Sequence, residues 1–438
     1  MTESSWGLLG PESLVGERRT RTLGLGASVR AFNDLAVPGL GGVWFGKQLF
    51  LALLGIQVAQ RARELGKQVT NIECANAIEA IACRLSFDYN KWVSDARLQG
   101  RTKLQGKSDM HFKVVRQRNF YVTQPMRMAT VQALPALGLV VTDGTRFNAY
   151  QCSPIGQDFL REACSGFSPF KRGVVDHLVL WVCGNDDKGV ISNALRQALS
   201  PLDPLPVRAR EVLQEQLRRG RDLESADDEP RRRSALAWVE SLRPLKNADL
   251  SWNARPPEIL SDHWNDLRAG ALFFSAREAA IRALDLLEAH IGNQSSGQRF
   301  ALTSAIPDSV TPQLQLLKDT ASAFLNSAHT DQDANVFCRE CLAESSADVV
   351  RRLVERDGRV MRLVANEVRP GPAFQGGIRV DSAEETESIE AAPVPSDDIN
   401  WPEGISYRVR NLFLLNLDLH DELGAKLRLA RNGRGDQQ

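Results

Sequence analysis

The chain has 438 residues, of which 43% are hydrophobic and 25% are charged, so its composition is that of a globular protein with more than one domain. Lys plus Arg and Asp plus Glu number 54 each, which excludes a protein whose whole surface attracts phosphate, whereas a local basic patch is compatible with this balance. Seven scattered cysteines do not form the dense framework of a disulfide-rich secreted domain and favour the reducing cytoplasm.

Residues 1–42 are rich in glycine and arginine, and this composition predicts an extended arm. The first residues lack a basic segment followed by an apolar one, so we expect no signal peptide. The most apolar stretch, residues 43–59, is interrupted by Lys47, Gln48 and Gln57, whereas a membrane span needs roughly 20 apolar residues. We therefore expect a buried helix here, a cytoplasmic location and no membrane partner.

The residues from Gly41 to Lys47 match the G-x4-G-K spacing of a phosphate-binding loop. Gln48 stands where that pattern requires Ser or Thr to hold Mg²⁺, and the bulky Trp44 and Phe45 fit badly where backbone amides wrap a phosphate. We interpret the segment as a turn that leads into a helix, with Lys47 solvated.

A basic stretch follows the second predicted helix. Between residues 91 and 127 the chain carries nine Lys and Arg residues but only two acidic ones, Asp95 and Asp109. Such a local excess of positive charge can attract phosphate even in a protein that is neutral overall.

The segment from Phe112 to Cys164 begins with the pattern of two short helices. The first is FKVVRQRNF, which starts at Phe112. The second is PMRMATVQALPAL. Thr123 is well placed to cap this helix, and Pro125 is tolerated in its first turn. Gly138 is predicted to end that second helix.

A hairpin and a further helix are predicted next. Residues 139–142 and 146–153 read as two strands joined at Asp143 and Gly144, a dipeptide favoured in tight hairpins. Ser153 followed by proline then opens a helix that packs against the hairpin.

This order of elements resembles the winged helix-turn-helix of MarR-like regulators. The matching residues are LPALGLVV from Leu134 and RFNAYQCSPIGQDFL from Arg146, and the resemblance covers residues 112–164 alone. Pro135, late in the second helix, departs from the family pattern. The resemblance implies that the second helix enters the major groove of DNA with its polar face towards the base edges.

Double-stranded DNA is therefore the expected ligand. Arg127, Thr130 and Gln132 lie on the face implied to read bases. The cations assigned to the same contact surface are Arg97, Arg101, Lys103, Lys107, Lys113, Arg116, Arg118 and Arg146. This face is poor in Asn and Arg, which favours backbone binding over sequence-specific readout. The alternative is a protein-interaction module with a basic but passive surface.

Apolar residues recur at helical spacing along most of the chain, so the predicted fold class is mainly α. The predicted helices cover residues 43–64, 71–87, 174–199, 271–290, 311–327 and 334–356, with a charged helix that ends near Arg221. Residues 359–364 and 367–370 alternate around a turn and predict a short hairpin.

The elements group into six predicted segments. They are an arm (1–42), a helical and winged-helix domain (43–200), a connector (201–260), a C-terminal helical domain (261–378), an acidic linker (379–400) and a docking tail (401–438). Residues 381–400 contain seven acidic residues and no Lys or Arg, which is typical of a flexible tether.

No familiar catalytic or metal-binding pattern accompanies these elements. Cys338 and Cys341 form a CxxC pair, but a structural zinc site needs four ligands and the sequence offers no second pair. His177 and His420 each adjoin an aspartate, an arrangement typical of caps or surface pairs. We therefore expect no metal and no cofactor, and the sequence favours a non-enzymatic protein without deciding the question.

Three functional hypotheses follow. The first is a non-enzymatic, DNA-associated accessory or scaffold subunit of a bacterial multi-protein complex, in chromosome maintenance or antiviral defence, with protein partners in that assembly. The second is a winged-helix transcription regulator whose C-terminal domain senses a ligand or forms a homo-oligomer. The third is an enzyme with an unfamiliar active site.

Overall fold

The computed structural model describes residues 21–185, 190–221, 225–245, 247–294, 297–377 and 399–435. Residues 1–20 of the predicted arm and residues 379–398 of the predicted acidic linker lie outside the described residues. The described part of the chain is mainly helical, which confirms the prediction of a mainly α protein.

Helices account for most of the secondary structure. In chain order, the α-helices are α1 (Gly26–Ala36), α2 (Gly46–Glu64), α3 (Asn71–Tyr89), α4 (Arg101–Leu104), α5 (Phe112–Val115), α6 (Ala133–Ala136), α7 (Pro154–Ala163), α8 (Val174–Cys183), α9 (Asn193–Leu199), α10 (Val207–Arg219), α11 (Asp228–Leu242), α12 (Ser261–Gly292), α13 (Thr311–Asn326), α14 (Gln332–Cys341), α15 (Ser346–Asp357), α16 (Tyr407–Leu419) and α17 (Leu423–Gly435). The 3-10 helices are Met126–Thr130, Phe147–Ala149 and Pro169–Lys171.

The strands are short and form three small sheets in the described residues. They are β1 (Val140–Val141), β2 (Gln151–Cys152), β3 (Ala248–Asp249), β4 (Phe300–Ala301), β5 (Met361–Val364), β6 (Glu367–Pro370) and β7 (Ile399–Asn400). β1 and β2 are antiparallel, β3 and β7 are parallel, and β6 lies between β4 and β5 in an antiparallel sheet.

Several elements differ from their predicted bounds. Residues 26–36 form α1 within the predicted extended arm, and Phe32 on this helix is buried. The predicted helix 174–199 divides into α8 and α9, because Gly184 adopts a left-handed φ of +79° and ends the first part. The hairpin predicted at residues 359–370 is confirmed as β5 and β6.

Contacts within the chain divide it into two compact units. The small unit comprises Met1–Ala31 and Arg268–Glu385, and the large unit comprises Phe32–Leu267 and Thr386–Gln438. Helix α12 contributes residues to both.

The core of the large unit is built around α2. Every residue of α2 from Gly46 to Ile56 is buried, and the helix packs against α3, α7 and α8. The crossing of α2 and α3 is close, because a Cβ placed on Gly55 would lie 2.3 Å from the Cα of Ala75. Only glycine leaves room for the second backbone at this point.

Lys47 is buried rather than solvated, which corrects the interpretation made from the sequence. Its Nζ donates to the carbonyl oxygen of Ala198 and lies 5.0 Å from the centre of the Phe50 ring. Burial lowers the pKa of Lys47 to about 8, although the negative charge of Asp203 opposes this shift.

The backbone amides at the start of α2 are already occupied by side chains. The Gln48 amide oxygen accepts the N–H of Trp44 at 2.8 Å and that of Phe45 at 3.3 Å. The Asp418 carboxylate accepts the N–H of Gly46 at 2.8 Å. These three amides therefore serve to cap the helix, and they do not point at a phosphate site.

Helix α16, in the predicted docking tail, packs within the large unit. Val409, Leu412 and Leu415 are fully buried, and the helix contacts α2 and α11. Arg408 at its start is also buried, and it donates to Asp34 and to the carbonyl oxygen of Val37. Helix α16 is thus part of this core.

In the small unit, α13 packs against α14, and α15 packs against β5. Arg21 lies buried in contact with Asp285, Glu288 and Asp357, at 2.8 Å from the Glu288 carboxylate. These ion pairs attach residue 21 to α12 and α15. Because Arg21 and Glu288 are both buried, each charge needs the other as a partner.

Candidate nucleic-acid interface

Helix α3 is the platform on which the basic stretch folds. The helix begins with a capping box, in which the Thr70 hydroxyl accepts the N–H of Glu73 and the Glu73 carboxylate accepts the N–H of Thr70. α4, α5 and the 3-10 helix Met126–Thr130 all pack against α3. Residues distant along the chain therefore meet on one helix.

Glu79 of α3 holds the start of the second predicted helix. Its fully buried carboxylate accepts the backbone N–H of Met126 at 2.8 Å and that of Arg127 at 3.2 Å. Burial raises the pKa of Glu79 to about 7, while these hydrogen bonds lower it. The role of Glu79 is not visible in the sequence, because a glutamate inside a helix gives no local sign of its distant partners.

The second predicted helix is divided. It consists of the 3-10 helix Met126–Thr130 and the one-turn helix α6, which contains Pro135. Proline has no N–H to donate to the carbonyl oxygen of Val131, and the Tyr150 hydroxyl donates to that oxygen instead, at 2.8 Å. Gly138, with a φ of +67°, ends the segment as predicted.

The hairpin that follows is shorter than predicted. Val140 lies opposite Cys152 and Val141 opposite Gln151, and a 3-10 helix stands where the second predicted strand was expected to begin. Ser153 then caps α7 by accepting the N–H of Gly156. The elements follow each other in the predicted order, and their assignment to a winged helix stays a prediction.

Three of the assigned cations are engaged by neighbouring groups. Buried Arg97 binds Asp95 and donates to a backbone carbonyl at 3.1 Å. Arg116 pairs with Glu73, and Arg127 donates to Asn76. These guanidinium groups hold the basic stretch onto the protein and are only partly available to a ligand.

Thr130 and Gln132, the two uncharged residues assigned to base reading, also have partners. Thr130 is fully buried, and its hydroxyl donates to the carbonyl oxygen of Arg127 at 2.8 Å. Gln132 is exposed, but its amide oxygen accepts a hydrogen bond from buried Arg408 at 2.6 Å.

A further assigned cation, Lys107, lines a small cavity of about 380 Å³. The residues that line it are Gly106, Lys107, Ser108, Asp109, Val114, Gln117, Asn119 and Phe120. Lys113 and Arg118 are exposed and directly adjoin lining residues in the chain, and Lys103 is exposed on the preceding α4. We call Lys103, Lys107, Lys113 and Arg118 the basic rim.

Lys103 and Lys113 each affect the pKa of a residue that lines the cavity. Partial burial and the nearby charge of Lys103 lower the pKa of Lys107, whose Nζ donates to the carbonyl oxygen of Phe120 at 2.9 Å. Hydrogen bonds from His111 lower the pKa of Asp109, and the positive charge of Lys113 adds to this effect. Asp109 is the one acidic residue in the chain between residues 96 and 142.

Two further assigned cations, Arg101 and Arg146, are exposed and are not counted in the basic rim. Arg101 begins the same one-turn helix that carries Lys103. Arg146 lies in the loop of the hairpin, and within the described residues no hydrogen bond or ion pair connects it to the basic rim.

The described residues contain no group of three or more His, Cys, Asp or Glu side chains arranged to hold a metal ion. Cys338 and Cys341 are buried on α14, and burial raises the pKa of Cys338 to about 12, so both are inert thiols at neutral pH. None of the helices in the described ranges combines the length and the apolar character needed to cross a bilayer.

Comparisons with protein-family models, with curated proteins and with solved structures found no match to this chain.

Proposed function

We propose that the chain is a non-enzymatic protein that binds nucleic acid through its phosphate backbone, and that the basic rim makes the contact. The observation that carries this proposal is a local excess of positive charge beside one cavity. Lys107 lines the cavity, the charge of Lys103 acts on Lys107, and Lys113 and Arg118 are exposed next to lining residues in the chain. Asp109 is the one acidic residue in that stretch of chain. A cluster of cations that lack acidic partners attracts phosphates and releases counterions when it binds them.

Several of the other assigned residues already have partners within the protein, so fewer side chains can contact a ligand. Arg97, Arg116 and Arg127 are engaged within the protein, and Thr130 is buried. Few side chains are thus left on the second predicted helix to read base edges. Binding that depends on charge more than on base sequence is the expected behaviour.

The test measures binding of the full chain to a labelled duplex of roughly 30 base pairs and to one of its strands at several salt concentrations. The variant replaces Lys103, Lys113 and Arg118 with Ala. We expect weaker binding and a slope of log affinity against log salt that is shallower by about two to three, since each phosphate contact contributes about 0.9 for duplex DNA.

A second triple variant controls for the loss of net charge. It replaces Arg161, Arg208 and Arg219 with Ala, three exposed cations that each pair with a carboxylate on their own helix. This control should bind as the unaltered protein does. If the basic-rim variant has the same affinity and slope as the control, the rim is not the contact and the proposal fails.

A further inference from the structure

The cavity that Lys107 lines has the size of a small ligand site. Its volume of about 380 Å³ lies near the lower end of the roughly 300–1,000 Å³ typical of ligand pockets. Its lining residues come from two short segments, residues 106–109 and 114–120. A group of the size of one nucleoside fits this space, whereas a folded strand of several nucleotides does not.

The lining offers hydrogen-bonding groups that are not used within the protein. Among the described residues, the side chains of Ser108, Gln117 and Asn119 have no hydrogen-bond partner, and all three are exposed. Each amide provides both a donor and an acceptor, and the hydroxyl provides either. The edges of nucleobases carry the same mixture of donors and acceptors, at spacings that side-chain amides can match.

The same lining includes apolar surface. Val114 is half-buried and Phe120 is buried, and the Lys107 ammonium lies 4.1 Å from the centre of the Phe120 ring. A flat aromatic base needs this combination of an apolar wall and polar edges, as single-stranded recognition sites provide.

The lining of the cavity carries one charge of each sign, from Lys107 and Asp109. Asp109 lines the cavity, and the N–H of His111 and the charge of Lys113 keep its carboxylate ionised at neutral pH by lowering its pKa. Because the charges of Lys107 and Asp109 offset each other, the interior suits an uncharged group such as a nucleobase better than a phosphate. The cations of the rim attract phosphate to the edge of the cavity.

From these observations we infer that the cavity receives one unpaired base of a nucleic-acid strand, while the basic rim contacts the phosphates on either side of that base. This inference rests on the proposed function and names its preferred substrate. A base paired inside a duplex cannot enter without being extruded, so a single strand should bind better than a duplex at equal salt.

The test compares three ligands of the full chain, each about 12 nucleotides long, by fluorescence anisotropy. They are a single strand, the same sugar-phosphate strand without bases, and the matching duplex. We expect the unaltered protein to bind the single strand about tenfold more tightly than the strand without bases, because one well-matched base contact gives discrimination of that order.

The cavity variant replaces Gln117 and Asn119 with Ala. It should bind the single strand about as weakly as the strand without bases, with an unchanged salt slope, because its phosphate contacts are intact. A control variant with Gln105→Ala and Gln157→Ala removes two exposed amides outside the lining and should keep the discrimination. Thermal melting of each variant verifies that it is folded.

The two proposals fail in different ways. If the unaltered protein binds strands with and without bases equally, or if the cavity variant keeps the discrimination, no base occupies the cavity and the inference is overturned. The basic-rim variant decides the proposed function separately, through its salt slope. A preference for the duplex over the single strand would also overturn the inference while leaving phosphate binding intact.

Discussion

The Glu79 carboxylate accepts the backbone N–H of Met126 from inside the core of the large unit, 2.8 Å away. An ionised carboxylate is costly to bury, and burial raises the pKa of Glu79 from 4.5 to about 7. The start of the divided second helix is thus attached to α3 through a group that titrates near neutral pH.

The stability of the protein should therefore depend on the protonation of Glu79. Because the pKa is higher in the folded state, the folded protein binds a proton that the unfolded chain releases, and the free energy of unfolding falls as pH rises from about 5 to 8. We expect Glu79 to contribute a change on the order of 2 to 3 kcal/mol. Urea unfolding of the unaltered protein and of Glu79→Gln at several pH values measures this contribution as their difference. A difference that is independent of pH would show that the group does not titrate in this range.

Arg127 and Arg118 should have opposite effects when replaced by Ala. Arg127 donates to Asn76 and lies over the Phe147 ring, so Arg127→Ala should cost about 1 to 2 kcal/mol of unfolding free energy and leave the salt slope of binding unchanged. Exposed Arg118 should show the reverse, with unchanged stability and a slope shallower by about one. Denaturant unfolding and salt titration of both variants test this pair, and a changed slope for Arg127→Ala would contradict the assignment.

Gly55→Ala should destabilise the large unit. Alanine favours a helix by roughly 1 kcal/mol over glycine, but its Cβ would meet the backbone of Ala75 at 2.3 Å, and overpacking of a core typically costs about 1 to 3 kcal/mol. Gly144→Ala is the matched control, since no atom lies within 4 Å of a Cβ at that position. Thermal and urea unfolding should show a loss for Gly55→Ala alone. Equal stability of the two variants would mean that the helices can separate at little cost.

The free energy of unfolding should rise at alkaline pH, where Lys47 loses its proton. Burial lowers its pKa from 10.5 to about 8, so the folded state releases this proton before the unfolded chain does, and the free energy of unfolding rises as pH increases from about 7.5 to 9.5. The expected rise is about 2 kcal/mol. Lys47→Met keeps the length of the side chain without the charge and should lack the rise. The same pH dependence in both proteins would place the titrating group elsewhere.

Sequence patterns suffice for helices whose first residues carry their own signals. α3 begins at Asn71, where the helical spacing predicts it, because Thr70 and Glu73 cap each other locally. α7 begins at Ser153 and Pro154 for a similar reason. In each case the groups that determine the boundary lie within a few residues of it.

The bounds that were missed depend on distant partners. The second predicted helix divides at a proline whose missing hydrogen bond is replaced by Tyr150, 19 positions later than the accepting Val131. The basic stretch is visible in the sequence, but which cations are engaged is not, since Arg116 meets Glu73 from 43 positions away. The sequence also could not show that Lys47 is buried. Its acceptor, the carbonyl oxygen of Ala198, lies 151 positions later in the chain.

The position of α16 has a consequence for how the protein is made. This helix lies more than 300 positions after α2 in the chain, yet it contacts α2 and α11 in the core of the large unit. A chain that emerges from the ribosome amino terminus first therefore leaves the apolar faces of α2 and α11 uncovered until α16 has been translated. Contacts between elements so far apart in the chain also form slowly. We therefore expect the nascent chain to be most prone to aggregation just before α16 emerges.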